Sequence, residues 1–231
     1  MWYEQSTDSV QKADQCSLKA LQLAPGLAQA HASRSYALTI NGKYAEAELE
    51  FKLAIELDPQ LYEAYYYAGR FYFAEGKFEQ AVGAFRQAAA IRPDDVTAAA
   101  LTCTALTAMG ATEEFEEACR HSIKVAEKHL SLNPDDALAR SRVANDLMSL
   151  GETEKGLEYA ERAYKMGPNG CRYNVACVYI KSGNTERALE LLEEHARAGG
   201  VHADWAEQDS DWDSVRDDPR FRSILEIARS R

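Results

Sequence analysis

Asp209, Asp211 and Asp213 place carboxylates at alternate positions along one short run, the way a calcium loop begins. The rest of such a loop is missing: Ser214 stands where the sharp turn needs glycine, and Arg220 where a bidentate glutamate is needed. The run is therefore read as helix capping and solubility, and no metal is expected. His31, His121, His129, His195 and His202 lack ligand spacing and read as surface or packing residues. Cys16, Cys103, Cys119, Cys171 and Cys177 are odd in number and show no CxxC pair, which argues against a disulfide framework or a zinc knuckle. Cys103 and Cys177 read as inert core thiols in a reducing compartment. Gly199-Gly200 ends a helix rather than cradling a phosphate, and no serine or cysteine stands in a nucleophile elbow. The paired glutamates at 113–114 and 116–117 fit a solvated helix face. With no acid, base or nucleophile constellation, the chain reads as a non-enzyme that uses no cofactor.

The elements that carry these residues are set by a ruler. Pro25, Pro59 and Pro93 fall 34 residues apart, and so do Gly42, Gly76 and Gly110. Pro134 follows Pro93 by 41 residues and Pro168 follows Pro134 by 34, with Gly151 and Gly183 marking later turns. Small and aromatic positions recur inside the period, as Gly42, Tyr44, Ala47, Phe51 and Ala54, then Gly76, Phe78, Ala81, Phe85 and Ala88. A period of this length indicates a two-helix unit that stacks on copies of itself.

These residues resemble the tetratricopeptide repeat, best at Tyr65, Gly69, Tyr72, Gly76, Phe78, Ala81, Phe85, Ala88 and Pro93. The resemblance covers roughly residues 10 to 200. It implies an all-α, right-handed superhelical solenoid of about five helix hairpins, closed by a C-terminal capping helix. The segments at 173–177 and 217–221 are similar, more narrowly, to repeat regions attached to bacterial signalling proteins such as adenylate cyclases, protein kinases and winged-helix regulators.

Helical spacing of apolar residues predicts a first helix over about Ser9–Leu23 in a partial repeat at 1–27, whose partner helix would begin before Met1; Trp2 and Tyr3 are read as its remnant, and the chain as a fragment. Complete pairs follow at 28–61 (Ala28–Asn41, Tyr44–Leu57), 62–95 (Tyr62–Ala74, Phe78–Ile91), 96–136 (Val96–Ala108, Thr112–Leu132), 137–168 (Ala137–Ser149, Glu154–Lys165) and 169–200 (Arg172–Lys181, Glu186–Arg197). The third pair carries seven extra residues, nearly two turns or about 10 Å of helix. Its inward stripe is read as Phe115, Ala118, Ser122, Val125, His129 and Leu132, and the extra length as a bend or a partner-facing spur. The acidic pairs after Pro93 and Pro134 are placed to cap the next helix. Residues 201–231 read as a loop and a last helix, about Pro219–Ala228, packed on the fifth pair.

In a tetratricopeptide array the first helix of each pair lines a concave groove. Carried over slot by slot, that role falls on Ala32, Tyr36 and Thr39; Tyr66, Arg70 and Phe73; Thr104 and Thr107; Ser141, Asn145 and Met148; Tyr173 and Ile180. The partner-binding set implied is Tyr36, Tyr66, Arg70, Phe73, Thr104, Asn145 and Tyr173. Aromatic area beside one guanidinium is the chemistry of interface hot spots, and Arg70 can take a carboxylate on both arms of its fork. The family's chaperone-tail clamp is absent, because its slots hold Ala32, Tyr36, Tyr67, Thr97 and Leu101.

A formal net charge of −11 leaves no basic footprint for nucleic acid or an anionic membrane surface. No apolar run reaches the roughly 20 residues of a membrane span, and the start lacks signal-peptide blocks. The chain reads as a cytoplasmic scaffold that binds a protein or peptide of a partner, or alternatively as a regulatory or oligomerisation appendage of a larger bacterial signalling protein. Homodimerisation is compatible with either.

Overall fold

The computed structural model describes residues 7–110 and 112–230; Trp2 and Tyr3 lie outside them. Helix α1 spans Thr7–Leu23, and five antiparallel pairs follow: α2 Ala28–Ile40 with α3 Tyr44–Leu57, α4 Tyr62–Ala74 with α5 Phe78–Ile91, α6 Val96–Met109 with α7 Thr112–Leu132, α8 Ala137–Ser149 with α9 Thr153–Met166, and α10 Pro168–Lys181 with α11 Thr185–Arg197. Then come α12 Ala203–Gln208, a 3₁₀ turn at Ser210–Val215, and α13 Pro219–Arg229. No strand occurs among the described residues. Each pair packs internally and on the next; among the first helices α2 packs on α4, α6 on α8 and α8 on α10, while α4 and α6 share buried clusters. That succession forms the concave side of a solenoid of stacked helix hairpins.

The turn inside each pair follows from glycine chemistry. Gly42 and Gly76 sit at φ of 70° and 69°, where a side chain would be strained. Their amides close on Thr39 and Phe73 carbonyls at 3.0 and 2.9 Å, and the next amides on Leu38 and Tyr72 at 2.9 and 2.8 Å. These satisfy carbonyls that the helix end would orphan. The second carboxylate of each acidic pair caps as expected: Asp95 accepts from the Ala98 amide at 2.8 Å and Asp136 from the Ala139 amide at 2.9 Å.

Small residues let the helices approach closely. A Cβ on Gly69 would lie 2.5 Å from the Phe85 ring, so α4 and α5 meet only because Gly69 has none. Phe51, Phe71 and Phe85 are fully buried, each contributing about 2–3 kcal/mol of apolar burial.

Four sequence expectations need correction. α10 begins at Pro168, not Arg172, and the loop before it shrinks to Gly167. On α7 the buried positions are Cys119, Ser122, Ala126 and Leu130, and Leu132 is 78% exposed. A straight α-helix turns away from a 3-4-3-4 stripe by about 20° per heptad, which carries Leu132 off the buried side. Cys103 is not a free thiol: it is joined to Cys119 across α6 and α7, with Cα atoms 5.3 Å apart. An odd cysteine count without a CxxC pair does not exclude a link between positions 16 apart on two helices, and for this pair the argument for a reducing compartment falls away. Cys177 is a buried thiol outside any disulfide, as read, and Cys171 is likewise buried.

The fourth correction concerns residues 201–218. α13 does cap the fifth pair, packing on α11. The segment before it is no simple loop: α12 crosses the concave side to pack on α4, while the 3₁₀ turn packs on α10. One strap thus links the last pair to the second.

Candidate functional site

The strap occupies part of the groove, α12 against α4 and the 3₁₀ turn against α10. Trp205 of α12 stacks on Phe73 with ring centroids 3.9 Å apart. Phe73, expected in the groove, is therefore fully buried beneath it. Tyr44, the first residue of α3 in the first pair, donates a hydrogen bond to Asp204. Burial, reinforced by that carboxylate, pushes the Tyr44 phenol well above its ordinary range. His202 caps α12 by accepting from the Trp205 amide at 3.2 Å. An accepting Nδ1 requires a neutral ring, and burial, helped by Arg70, lowers His202 to about 4.

Beside Trp205 stands an aromatic and cationic cluster. Tyr36 of α2 stacks on Tyr67 of α4 at 4.7 Å, and Tyr67 leans on Tyr66 at 5.3 Å. The Arg70 guanidinium lies 5.5, 5.9 and 5.4 Å from the rings of Tyr36, Tyr66 and Trp205, and donates to the Tyr66 hydroxyl at 3.2 Å. Tyr36, Tyr66 and Arg70 are thus brought together as the slots implied. Tyr67, which the slot assignment left out of the groove, supplies the stack that joins the first two pairs.

Deeper along the same side lies a cavity of about 260 Å³, bordered by α4, α6, α8, α10 and the strap. Arg70, Thr104, Asn145 and Tyr173 of the expected set all line it. Arg142 and Arg172 line it too, and the slot reading missed both. They were visible as cations on first helices of an acidic chain, but their slots are not the family's groove slots. Arg142 donates to Thr97, and burial holds its guanidinium below the ordinary value. Arg172 lies 3.6 Å from Glu194.

Two of the expected residues already hold partners. The Tyr173 hydroxyl donates to Asp209 at 2.9 Å and accepts from Trp212 at 3.1 Å. Asn145 accepts from the Lys181 ammonium at 2.8 Å. That ammonium also reaches Ser149 at 2.8 Å and Asp211 at 2.7 Å.

The acidic run is absorbed in this network. Asp209 caps the 3₁₀ turn, accepting from the Asp211 amide at 3.1 Å; Asp211 pairs with Lys181; Asp213 pairs with Arg216. Cys177, Asp209 and Asp211 converge closely enough to bind a cation, but the Lys181 ammonium supplies the positive charge there. Burial, with Asp211 alongside, raises the Asp209 carboxyl to about 7. Burial likewise lifts Asp146 to about 7.

Residues 38–102 match the sequence profile of the tetratricopeptide repeat. No curated protein matches the chain. TTC0263, a thermophilic TPR protein of Thermus thermophilus, is 18% identical with a TM-score of 0.55, over 85% of this chain and 98% of that one. PilF of Pseudomonas aeruginosa is 16% identical with a TM-score of 0.54, over 87% of this chain and 89% of that one. The Cut9–Hcn1 hetero-tetramer of the APC/C is 13% identical with a TM-score of 0.60, over 95% of this chain but only 46% of that one, so this chain spans about half its length. Likeness at these identities establishes the fold, that of a tetratricopeptide-repeat solenoid.

Proposed function

We propose that the solenoid is a non-catalytic interaction scaffold that receives a peptide or helix of a partner protein along its concave side. The observation that carries this reading is the half-buried cluster of Tyr36, Tyr66, Tyr67 and Arg70. Rigid aromatic area next to a guanidinium is the composition found where interfaces concentrate their energy. The cluster joins the first and second pairs, beside Trp205 of the strap. No helix among the described residues is long and apolar enough to cross a membrane.

Affinity capture with the wild-type chain, against a Tyr36→Ala/Tyr67→Ala variant of equal helicity, tests the reading. A protein held by the wild type should bind the variant at least ten-fold more weakly; equal retention by both overturns the groove assignment.

A second reading, that of a regulatory or oligomerisation appendage of a larger signalling protein, is favoured by a separate feature. Leu49, Leu53 and Leu57 recur every four residues on α3 and are 70%, 38% and 43% exposed. An unpartnered leucine line suits docking of another domain or a second copy. Light scattering should then report a dimer that Leu49→Glu/Leu53→Glu converts to monomer; a monomeric wild type removes the homodimer.

A further inference from the structure

We propose that the cavity beneath α12 binds a small organic anion, holding its carboxylate among Arg70, Arg142 and Arg172. This goes beyond capture of a protein along the groove, since the cavity extends past Arg70 to residues of α6, α8 and α10 that the aromatic cluster does not include.

Three guanidinium side chains from α4, α8 and α10 border one space of about 260 Å³. Arg70 meets only the Tyr66 hydroxyl and the rings of Tyr36, Tyr66 and Trp205; no carboxylate stands within ion-pair reach of it among the described residues. In a chain with 37 acidic residues against 26 basic ones, an enclosed arginine without a carboxylate is a costly arrangement. Arg142 and Arg172 already have polar partners in Thr97 and Glu194, and they still border the cavity.

The carboxylates on the cavity wall do not balance this charge. Asp146 and Asp209 are both raised to about 7 by burial, so at neutral pH each carries only part of its negative charge. Asp209 is moreover engaged by Tyr173 and by the Asp211 amide. His195 and His202 are lowered to about 4, His195 by burial and Arg172, and add no charge at neutral pH. The wall is therefore cationic in excess, and the indole of Trp205 dries one side of it, which strengthens attraction for an anion. Asn174 and Thr104 add neutral polar groups at the same wall.

Size selects the class of ligand. The space is below the roughly 300–1,000 Å³ of sites for drug-sized molecules, which fits a short mono- or dicarboxylate. Guanidinium forks match a planar carboxylate in bidentate fashion. The carboxylate can come from a free molecule or from an acidic side chain of a bound peptide, and the test separates these sources.

Titration calorimetry on the full chain at constant ionic strength uses succinate, inorganic phosphate, and a Glu-containing pentapeptide beside its Gln counterpart. Saturable binding of succinate is expected, at least ten-fold weaker in Arg70→Gln and unchanged in Arg222→Gln, an exposed arginine remote from the cavity. Thr104→Glu places a carboxylate in the cavity and should abolish succinate binding while keeping or raising the melting temperature; this arm remains decisive if Arg70→Gln fails to fold. Binding of the Glu peptide alone, lost in the same variants, assigns the carboxylate to a side chain. Absence of saturable binding by any carboxylate probe, binding of phosphate without succinate, or equal succinate affinity in Thr104→Glu overturns the proposal.

Discussion

The hairpins from Ala28 to Ile91 and the strap from Val201 to Asp218 both bury aromatic rings, by opposite routes. Phe51, Phe71 and Phe85 are covered by neighbours in their own or the adjacent hairpin, so each pair contributes a repeat of the same local solution. Trp205 and Trp212 are covered by residues far away in sequence, Phe73 for one and Tyr173 for the other, with the nearby Phe221 stacked on the second. The first route is additive along the axis, as expected of stacked repeats. The second couples repeats that never touch as neighbours. Periodic sequence therefore builds the spring, and an aperiodic segment decides how far it opens.

Trp212→Ala is the largest blow to the strap. The ring is fully buried, stacked on Phe221 at 5.6 Å and bonded to Tyr173, so its loss should cost about 3–5 kcal/mol by chemical denaturation. If the strap were a passive tail, the midpoint would scarcely move. Gly69→Ala is the matching insult to the periodic region. Its new methyl would meet Phe85 at 2.5 Å, and overpacking of this kind should cost about 1–3 kcal/mol in the same assay.

Acidity distinguishes the regions next. Folded Asp209, at about 7 against 3.8 unfolded, keeps a proton that the unfolded chain releases. Stability must then fall as pH rises between about 4 and 7 on this account. His202, at about 4 against 6.5 unfolded, acts in the opposite sense, losing stability as pH falls from 6.5 to 4. Asp209→Asn should remove this contribution, leaving the like-signed one of Asp146 and the opposed one of His202, and gain on the order of 1–2 kcal/mol on the wild type between pH 5 and 8, read from thermal melts at each pH. The smallest effect is expected at a repeat boundary. Asp95→Ala removes the cap of α6 and the acceptor of Tyr62, costing about 1 kcal/mol and leaving the strap untouched.

The hairpins were legible because their signals are local. Gly42 and Gly76 need a left-handed turn wherever they stand, and the Ala47–Phe51–Ala54 stripe names its own buried face without reference to any partner. The bounds of α3, α4 and α5 could therefore be read residue for residue. α12 was not legible, since six residues of mixed polarity show no period and Trp205 acquires its meaning from Phe73, 132 positions earlier. The Cys103–Cys119 link was hidden for a related reason: it joins positions 16 apart on two different helices, and no local spacing pairs one with the other. Of the site, the aromatic cluster followed from repeat slots, whereas Arg142 and Arg172 depend on how three hairpins converge beneath the strap.

The hydrogen bond from Tyr44 to Asp204 joins residues 160 positions apart. An open solenoid of nearest-neighbour contacts can grow from any hairpin and fray from either end, but this closure waits until every intervening unit is in place. Refolding should accordingly finish with one slow concentration-independent phase that reports ring closure, and pulling the two ends apart should meet a single abrupt release instead of gradual extension.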